Sequence, residues 1–386
     1  MAAANPASIT TTPLSELPIR LFLMINNFET GGSERQFAVL AQNLSRARFQ
    51  LHLGCVARRG PLAGEFDGVA QFPLGRSLFG WKALGTRVKL NHHLRQNKVE
   101  VAQAFDFYTN LTLIPSARLA GVPVVIGSHR QLGDLMSSAQ FRAQGVAFRL
   151  CDAVVCNSQA AAARLAGTGV PREKLVVIGN ALPGTAFEGV SPLLPRPPGV
   201  LRVGMVARMN ARYKNHAGFL RIAAEIHKNM PNVEFLLVGD GPLRAEIEQQ
   251  AGALGLGEQA IFLGDRRDIP AVLASMDVSV LTSDSESLSN VILEAMAASL
   301  PVVAYDVGGN GELINEQRGA LLAAGKENEF AMAVLRLLTD TDLRGRLGRN
   351  ARQFVEVSFS LDRVRSQYED LYTRLLAQQG RRKPCL

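Results

Sequence analysis

Short apolar runs alternate with helix-like segments along nearly the whole chain, and the alternation restarts once; no other feature confines the fold as tightly. Runs at 19–25, 50–56, 101–105, 123–127, 153–156 and 175–178 are almost continuously apolar. Strands of that kind are buried on both faces, as in parallel sheets covered by helices. Segment 191–199, Ser-Pro-Leu-Leu-Pro-Arg-Pro-Pro-Gly, then interrupts, because its prolines continue neither a helix nor a central strand. The pattern resumes at 202–206, 234–238, 260–263, 278–281, 302–305 and 320–322, and from 327 onward it is almost wholly helical. The expected fold class is α/β, with two Rossmann-like doubly wound domains facing a cleft.

The expected organisation is a first domain at 19–190, a linker at 191–199 and a second domain at 200–360. A long helix at 361–378 should pack back toward the first domain, ahead of a basic tail ending at 386. Residues 1–18 are rich in Ala, Ser, Thr and Pro and lack the basic region and apolar core of a signal peptide, so they read as a disordered lead-in. The first helix is expected at 33–44, with Ser33 and Gln36 as a capping box.

A hydrophobic content of 47% over 386 residues suffices for two cores, and no run approaches the roughly 18 apolar residues of a spanning helix. The four cysteines form no Cys-x-x-Cys pair, which suits buried reduced thiols in a cytosolic protein. A net charge of +8 points to anionic partners: nucleotide diphosphates or acidic lipid. Nucleic acid is not expected, since no zinc finger, RNA-binding signature or basic-aromatic run is present.

Chemistry concentrates in Glu286-Ser-Leu-Ser-Asn-Val-Ile-Leu-Glu294. Val291, Ile292, Ala295, Met296 and Ala298 have helical spacing and should face inward, so Glu294 is a carboxylate carried into a mostly buried helix. Such a charge needs hydrogen-bond donors, and sugar or ribose hydroxyls are donors. If 286–294 were all helical, the two carboxylates would stand about 12 Å apart along the axis, roughly the reach of a nucleotide-sugar diphosphate. A capped helix with one solvated Glu is the plainer alternative. The flanking runs 277–283 and 300–309 make the segment part of a βαβ unit, whose strands present ligand sites at their carboxyl ends.

Four further positions sit at such strand ends. Gly31 and Gly32 join the first strand to the first helix, where glycine admits close backbone approach and a helix N-terminus favours anions. The loop is not Gly-x-Gly-x-x-Gly, which disfavours a dinucleotide-dependent dehydrogenase. Arg208 ends the strand at 202–206 and Lys214 begins the next helix; a guanidinium fork and a point charge suit a diphosphate. Gly239-Asp-Gly-Pro ends the next strand and is mainly architectural. His129 ends the strand-like run Val124-Val-Ile-Gly-Ser-His, placed to face the cleft and bond a sugar hydroxyl, or to be a satisfied structural histidine. Asp340-Thr-Asp342 imitates a metal motif, but its place between two helical patterns reads as helix stop and N-cap.

Taken together, Gly31-Gly32, His129, Arg208 with Lys214, Gly239-Asp-Gly-Pro, Glu286-x7-Glu294 and Gly308-Gly309 before Glu312 resemble the family 4 retaining glycosyltransferases of the two-Rossmann, or GT-B, type. The resemblance spans about 19–378 and is strongest over 201–314. It implies that Arg208 and Lys214 bind the donor diphosphate, Glu286 contacts the donor sugar and Glu294 takes the ribose hydroxyls. Amides at Leu288 and Ser289, with Asn290 beside them, would cap the phosphates. Gly31, Gly32 and Gly239 complete the donor site, and His129 touches the sugar near the reacting carbon. The catalytic set implied is Glu286, His129, Arg208 and Lys214, with no metal and no cofactor. The implied activity is retaining transfer from a UDP- or GDP-sugar to a lipid-linked or glycan acceptor. A sugar-nucleotide epimerase and a non-catalytic nucleotide-sugar-binding scaffold remain alternatives. The chain departs from many relatives in having Ala207 before Arg208 and Ser-Leu after Glu286.

A helix at 81–98 places Trp81, Leu84 and Val88 on one stripe and Lys82, Lys89 and His93 on another. It reads either as an ordinary covering helix or as a surface for anionic lipid. The expected location is the cytoplasm, with peripheral attachment to the inner face of the cytoplasmic membrane.

Overall fold

A computed structural model describes residues 17–75, 77–78 and 80–382; the lead-in through 16 and the tail from 383 lie outside the described residues. The first domain runs β1 (Ile19–Ile25), α1 (Gly32–Asn43), β2 (Phe49–Cys55), β3 (Ala70–Gln71), α2 (Trp81–Gln96), β4 (Val101–Ala104), α3 (Phe107–Ala120), β5 (Val124–His129), α4 (Ser138–Arg149), β6 (Ala153–Cys156), α5 (Gln159–Ala166) and β7 (Leu175–Val177). The second runs β8 (Leu201–Val206), α6 (His216–Asn229), β9 (Val233–Val238), α7 (Arg244–Ala253), β10 (Ala260–Gly264), α8 (Ile269–Leu273), β11 (Val278–Leu281), α9 (Asn290–Ala297), β12 (Val302–Tyr305), α10 (Asn310–Leu313) and β13 (Gly319–Leu322). Helices α11 (Glu327–Thr339), α12 (Thr341–Ser358) and α13 (Leu361–Arg382) close the chain.

Both sheets are parallel, in the orders β3-β2-β1-β4-β5-β6-β7 and β10-β9-β8-β11-β12-β13. Each order reverses beside its first strand, so each sheet has a switch point where strand ends open a crevice. The central strands β4, β5, β6, β11 and β12 are buried along their whole length, which explains why their sequences show no polar alternation. The two-residue β3 has no counterpart in the sequence reading, being too short to carry a period.

In the first domain, α2, α3, α4 and α5 cover one face of the sheet, through Leu90, Leu113, Phe148 and Leu165. The other face is covered by α1 and by α13, whose Tyr368, Leu371 and Tyr372 join that core. Tyr372 donates its hydroxyl to the buried Gln103 at 2.5 Å, and Arg48 pairs with Glu369 at 2.6 Å. The last helix therefore returns to the first domain. The chain crosses back where the Leu182 N–H donates to the Phe359 carbonyl at 2.8 Å. The proline-rich linker is pinned to the second domain, since Arg196 pairs with Asp277 and Arg202 donates to the carbonyls of Leu194 and Pro195.

Two local expectations fail. Helix α1 starts at Gly32 with Gly31 as N-cap and no side-chain cap. Gln36 instead makes a two-way bridge to the backbone of Ala181, at 3.0 and 2.6 Å, so a long-range contact takes the group that a capping box would have used. Segment 286–289 is not helical: Ser289 accepts from the Ile292 N–H and starts α9 at Asn290. The 12 Å spacing based on a continuous helix therefore does not hold.

Candidate active site

A cleft of about 800 Å³ opens between the domains, lined by loops at the carboxyl ends of both sheets. On the first-domain side stand the β1–α1 loop and the β5–α4 connection. On the other side are the loops after β8, β9, β10 and β11.

Arg208 lines the cleft directly after β8 and is exposed to it. Lys214 does not begin a helix; it closes a single 3-10 turn at Arg212–Lys214, and left-handed Asn215 (φ 54°) caps α6. That turn aims the Lys214 ammonium at the Glu286 carboxylate, 2.7 Å away, with both side chains largely buried. Arg208, Lys214, Glu286, Leu288, Ser289, Asn290 and Glu294 all line the one cleft. Among the described residues, the N–H groups of Leu288 and Ser289 have no hydrogen-bond partner. They stand before the first turn of α9, where unsatisfied donors and the helix dipole favour an anion.

Glu294 sits in the second turn of α9 with a side chain 12% exposed. One of its carboxylate oxygens accepts from Arg35 of α1 at 2.5 Å, across the cleft. The donor that this buried carboxylate needs is thus supplied by the protein, from a residue 259 positions away. The expected inward face of α9 holds for Ile292, Ala295 and Met296, but Val291 lines the cleft.

Of the glycine pair, Gly32 reaches the cleft, and a Cβ there would lie 3.2 Å from Asn290 Nδ2 on the opposite wall. Gly31 is buried beneath the Glu34 side chain instead. Gly239 has φ +131°, and a Cβ would overlap the Ala207 carbonyl, so this glycine lets β9 end against the Arg208 loop. Gly308 and Gly309 press on the backbone of Glu286 and Ser287: a Cβ on either would overlap those carbonyl oxygens, and the Gly309 N–H donates to Glu286 O at 3.1 Å. They thereby position the acidic loop.

His129 corrects an expectation. It ends β5 as read, but its ring is fully buried between Phe141 and Phe148 and does not line the cleft. Its Nδ1 lies 3.1 Å from Gln144 Nε2, and Nε2 has no partner. Burial pulls its pKa down to about 4, which keeps it neutral. The alternation of β5 and the cover of α4 turn the ring into the core. The next residue, Arg130, enters the cleft in its place and donates to Asn180 at 2.5 Å.

The sequence reading also missed the seam between the domains. Ser287 donates to Asn157 at 2.6 Å and lies 3.3 Å from Ser158 Oγ. Asn180 donates to Asn290 and to the Leu288 carbonyl. Glu312 accepts the N–H groups of Gln159 and Ala160, capping α5 of the other domain at 2.9 Å. Asp265, Arg266 and Arg267 after β10 add a charged wall, detectable in sequence only as the end of a strand. Behind the first-domain wall, burial pushes Asp106 up to about 6 and raises Glu34, the latter opposed by Arg208 and Arg130.

Asp340 accepts the Leu343 N–H at 2.8 Å as the N-cap of α12, which is the architectural role expected of it. Among the described residues, no group of three or more His, Cys, Asp or Glu side chains is arranged to hold a metal ion.

Two family models match this chain: "Glycosyltransferase Family 4" over residues 30–183 and "Glycosyl transferases group 1" over 201–340. The chain is 33% identical over 181 residues to the alpha-D-kanosaminyltransferase of Streptomyces kanamyceticus, a match covering 46% of each chain, so it spans about half the length of that relative. It is 26% identical over 362 residues to the UDP-Gal:alpha-D-GlcNAc-diphosphoundecaprenol alpha-1,3-galactosyltransferase of Escherichia coli, covering 87% of this chain and 92% of that one. Anabaena HepE, solved with UDP-glucose, superposes with a TM-score of 0.79 at 23% identity, covering 92% of this chain and 100% of that one, which is a likeness of fold.

Proposed function

This chain belongs to the group 1 glycosyltransferases of family 4, and from that membership we propose that it transfers a sugar, with retention of configuration, from a UDP- or GDP-sugar to a lipid-linked or polysaccharide acceptor. The observation that carries the reading is convergence in one cleft. Arg208, the Lys214–Glu286 pair and the loop with the unpartnered N–H groups of Leu288 and Ser289 all line it. Such a cluster binds a diphosphate and stabilises charge on it as it departs.

In the proposed step the bond from the anomeric carbon to the diphosphate oxygen breaks. The acceptor oxygen bonds to the same face of that carbon, and the acceptor proton passes to the leaving phosphate oxygen. Arg208 and Lys214 stabilise the negative charge developing on the diphosphate, so the reading assigns no metal and no cofactor. Glu286 orients the sugar while holding Lys214. Ribose hydroxyls take Glu294 and displace its bridge to Arg35. His129, sealed in the core, supports the wall behind Arg130 in this form of the protein. No described helix is long and apolar enough to cross a membrane. The reading places the enzyme in the cytoplasm, attached peripherally to the membrane that holds a lipid-linked acceptor.

The test incubates the protein with UDP- and GDP-sugars, with and without lipid-linked and polysaccharide acceptors. Acceptor-dependent release of nucleoside diphosphate and a product whose anomeric proton keeps the donor configuration are expected, with activity surviving chelator. Diphosphate release that ignores acceptor, an inverted product, or loss with EDTA restored by Mn²⁺ would overturn the corresponding part.

A further inference from the structure

We propose that the face built by α2, α3 and α4 docks on an anionic lipid bilayer. None of these three helices contains a carboxylate. Helix α2 carries Lys82, Arg87, Lys89 and Arg95, and the other two add further arginines. The opposite face of the same sheet, covered by α1 and α13, carries Glu34, Asp362, Glu369 and Asp370 together with Arg35, Arg363, Arg365 and Arg374. The α2–α4 side is therefore cationic with no acid on its helices, whereas the opposite side mixes both signs.

That side also exposes apolar surface that the core does not use. Helix α2 buries Ala83, Thr86, Leu90 and Leu94. Its other stripe presents Trp81 at 90% exposure, Leu84 at 52% and Val88 at 64%. Arg87 and Arg95 donate to the carbonyls of Leu111 and Leu119, so α2 and α3 lie side by side and run the same way. This register brings Tyr108, itself 46% exposed, beside the first turns of α2. Helix α3 starts directly after the carboxyl end of β4, so the patch lies at the cleft end of the domain. Exposed Lys82 and Lys89, seven residues apart, run as a second stripe along one side of it. An aromatic and two aliphatic side chains beside a row of lysines match the boundary of headgroups and acyl chains. A nucleic acid would take the charges and leave the apolar stripe in water. The inference rests on the proposed function only for its purpose, since docking here would bring the cleft to a lipid-linked acceptor.

The chain contains a single tryptophan, so the emission of Trp81 reports on this face alone. The full chain is mixed with vesicles of phosphatidylcholine, with and without phosphatidylglycerol, and followed by fluorescence and by sedimentation. A blue shift and co-sedimentation are expected only with phosphatidylglycerol, both weakening as salt is raised. Lys82→Glu and Lys89→Glu should each lower the partition coefficient at least about fivefold, equivalent to about 1 kcal/mol per basic residue. Trp81→Ala should lower sedimentation without changing the thermal shift given by UDP-glucose. Equal binding to neutral vesicles, an unmoved Trp81 emission, unchanged binding of the double lysine variant, or tighter binding to a DNA duplex than to anionic vesicles would each overturn the proposal. Failure of every UDP- and GDP-sugar to shift the wild type would instead count against the transferase reading and leave the docking result standing.

Discussion

Lys214 and Arg208 are two cations at one site with different surroundings, and that difference makes them separable. Lys214 neutralises a largely buried Glu286, whereas Arg208 is exposed and makes no ion pair among the described residues. Both substitutions to Ala should cost about 2–4 kcal/mol of transition-state stabilisation, read as kcat/KM. Only Lys214→Ala should also lower folding stability, by roughly 1–2 kcal/mol, because it strands the Glu286 carboxylate. Thermal melts of both variants beside their kinetics check the split. At His129 the pKa falls from 6.5 unfolded to about 4 folded. Below 6.5 the unfolded chain binds the proton that the core refuses, so this residue's share of stability is complete above pH 6.5 and is lost on descent toward pH 4. His129→Gln does not titrate. Its stability relative to wild type should therefore improve by up to ~3 kcal/mol between pH 6.5 and 4, measured by urea unfolding at each pH.

Short elements and their glycines carry the next level of organisation. The 286–289 loop gets its shape from Ser289 capping α9 on one side and from Gly308-Gly309 pressing on its carbonyls from the other. Gly309→Ala should push Ser287 and its neighbours out of register, lowering kcat/KM at least about tenfold, a barrier change near 1.4 kcal/mol. Hydrogen exchange of the Ile292 amide, which donates to Ser289, should quicken in the same variant while the sheet strands stay protected. Unchanged kinetics would show that the loop is held without the glycine approach.

Across the whole molecule, the cleft is spanned by Arg35 and Glu294 and bordered by the seam at Asn157, Ser287 and Glu312. Arg35 is 44% exposed, so its bridge is worth at most about 1 kcal/mol. A ligand using Glu294 competes with that bridge. Arg35→Ala should therefore lower the KM for the nucleotide-sugar by up to about fivefold with little change in kcat. A raised KM would mean that Arg35 itself holds the donor.

Local pattern determined a good deal of this protein. Strand placement, the two-domain repeat and the linker follow from apolar runs and prolines, because these properties act over a few residues and are written contiguously. The order of Gly31-Gly32, Arg208, Lys214, Glu286 and Glu294 at strand ends was legible for the same reason: in a doubly wound sheet, position along the chain decides which end of the domain a loop reaches. Only the tertiary structure decided the partners. That Glu294 meets Arg35, that Gln36 bridges to Ala181 instead of capping its own helix, and that Ser287 meets Asn157 all depend on how two domains settle against each other. That His129 turns into the core while Arg130 turns into the cleft depends on which neighbour α4 covers. Period and composition encode burial, but a buried charge or ring takes whichever group the fold brings within hydrogen-bonding distance, and that group can lie hundreds of residues away.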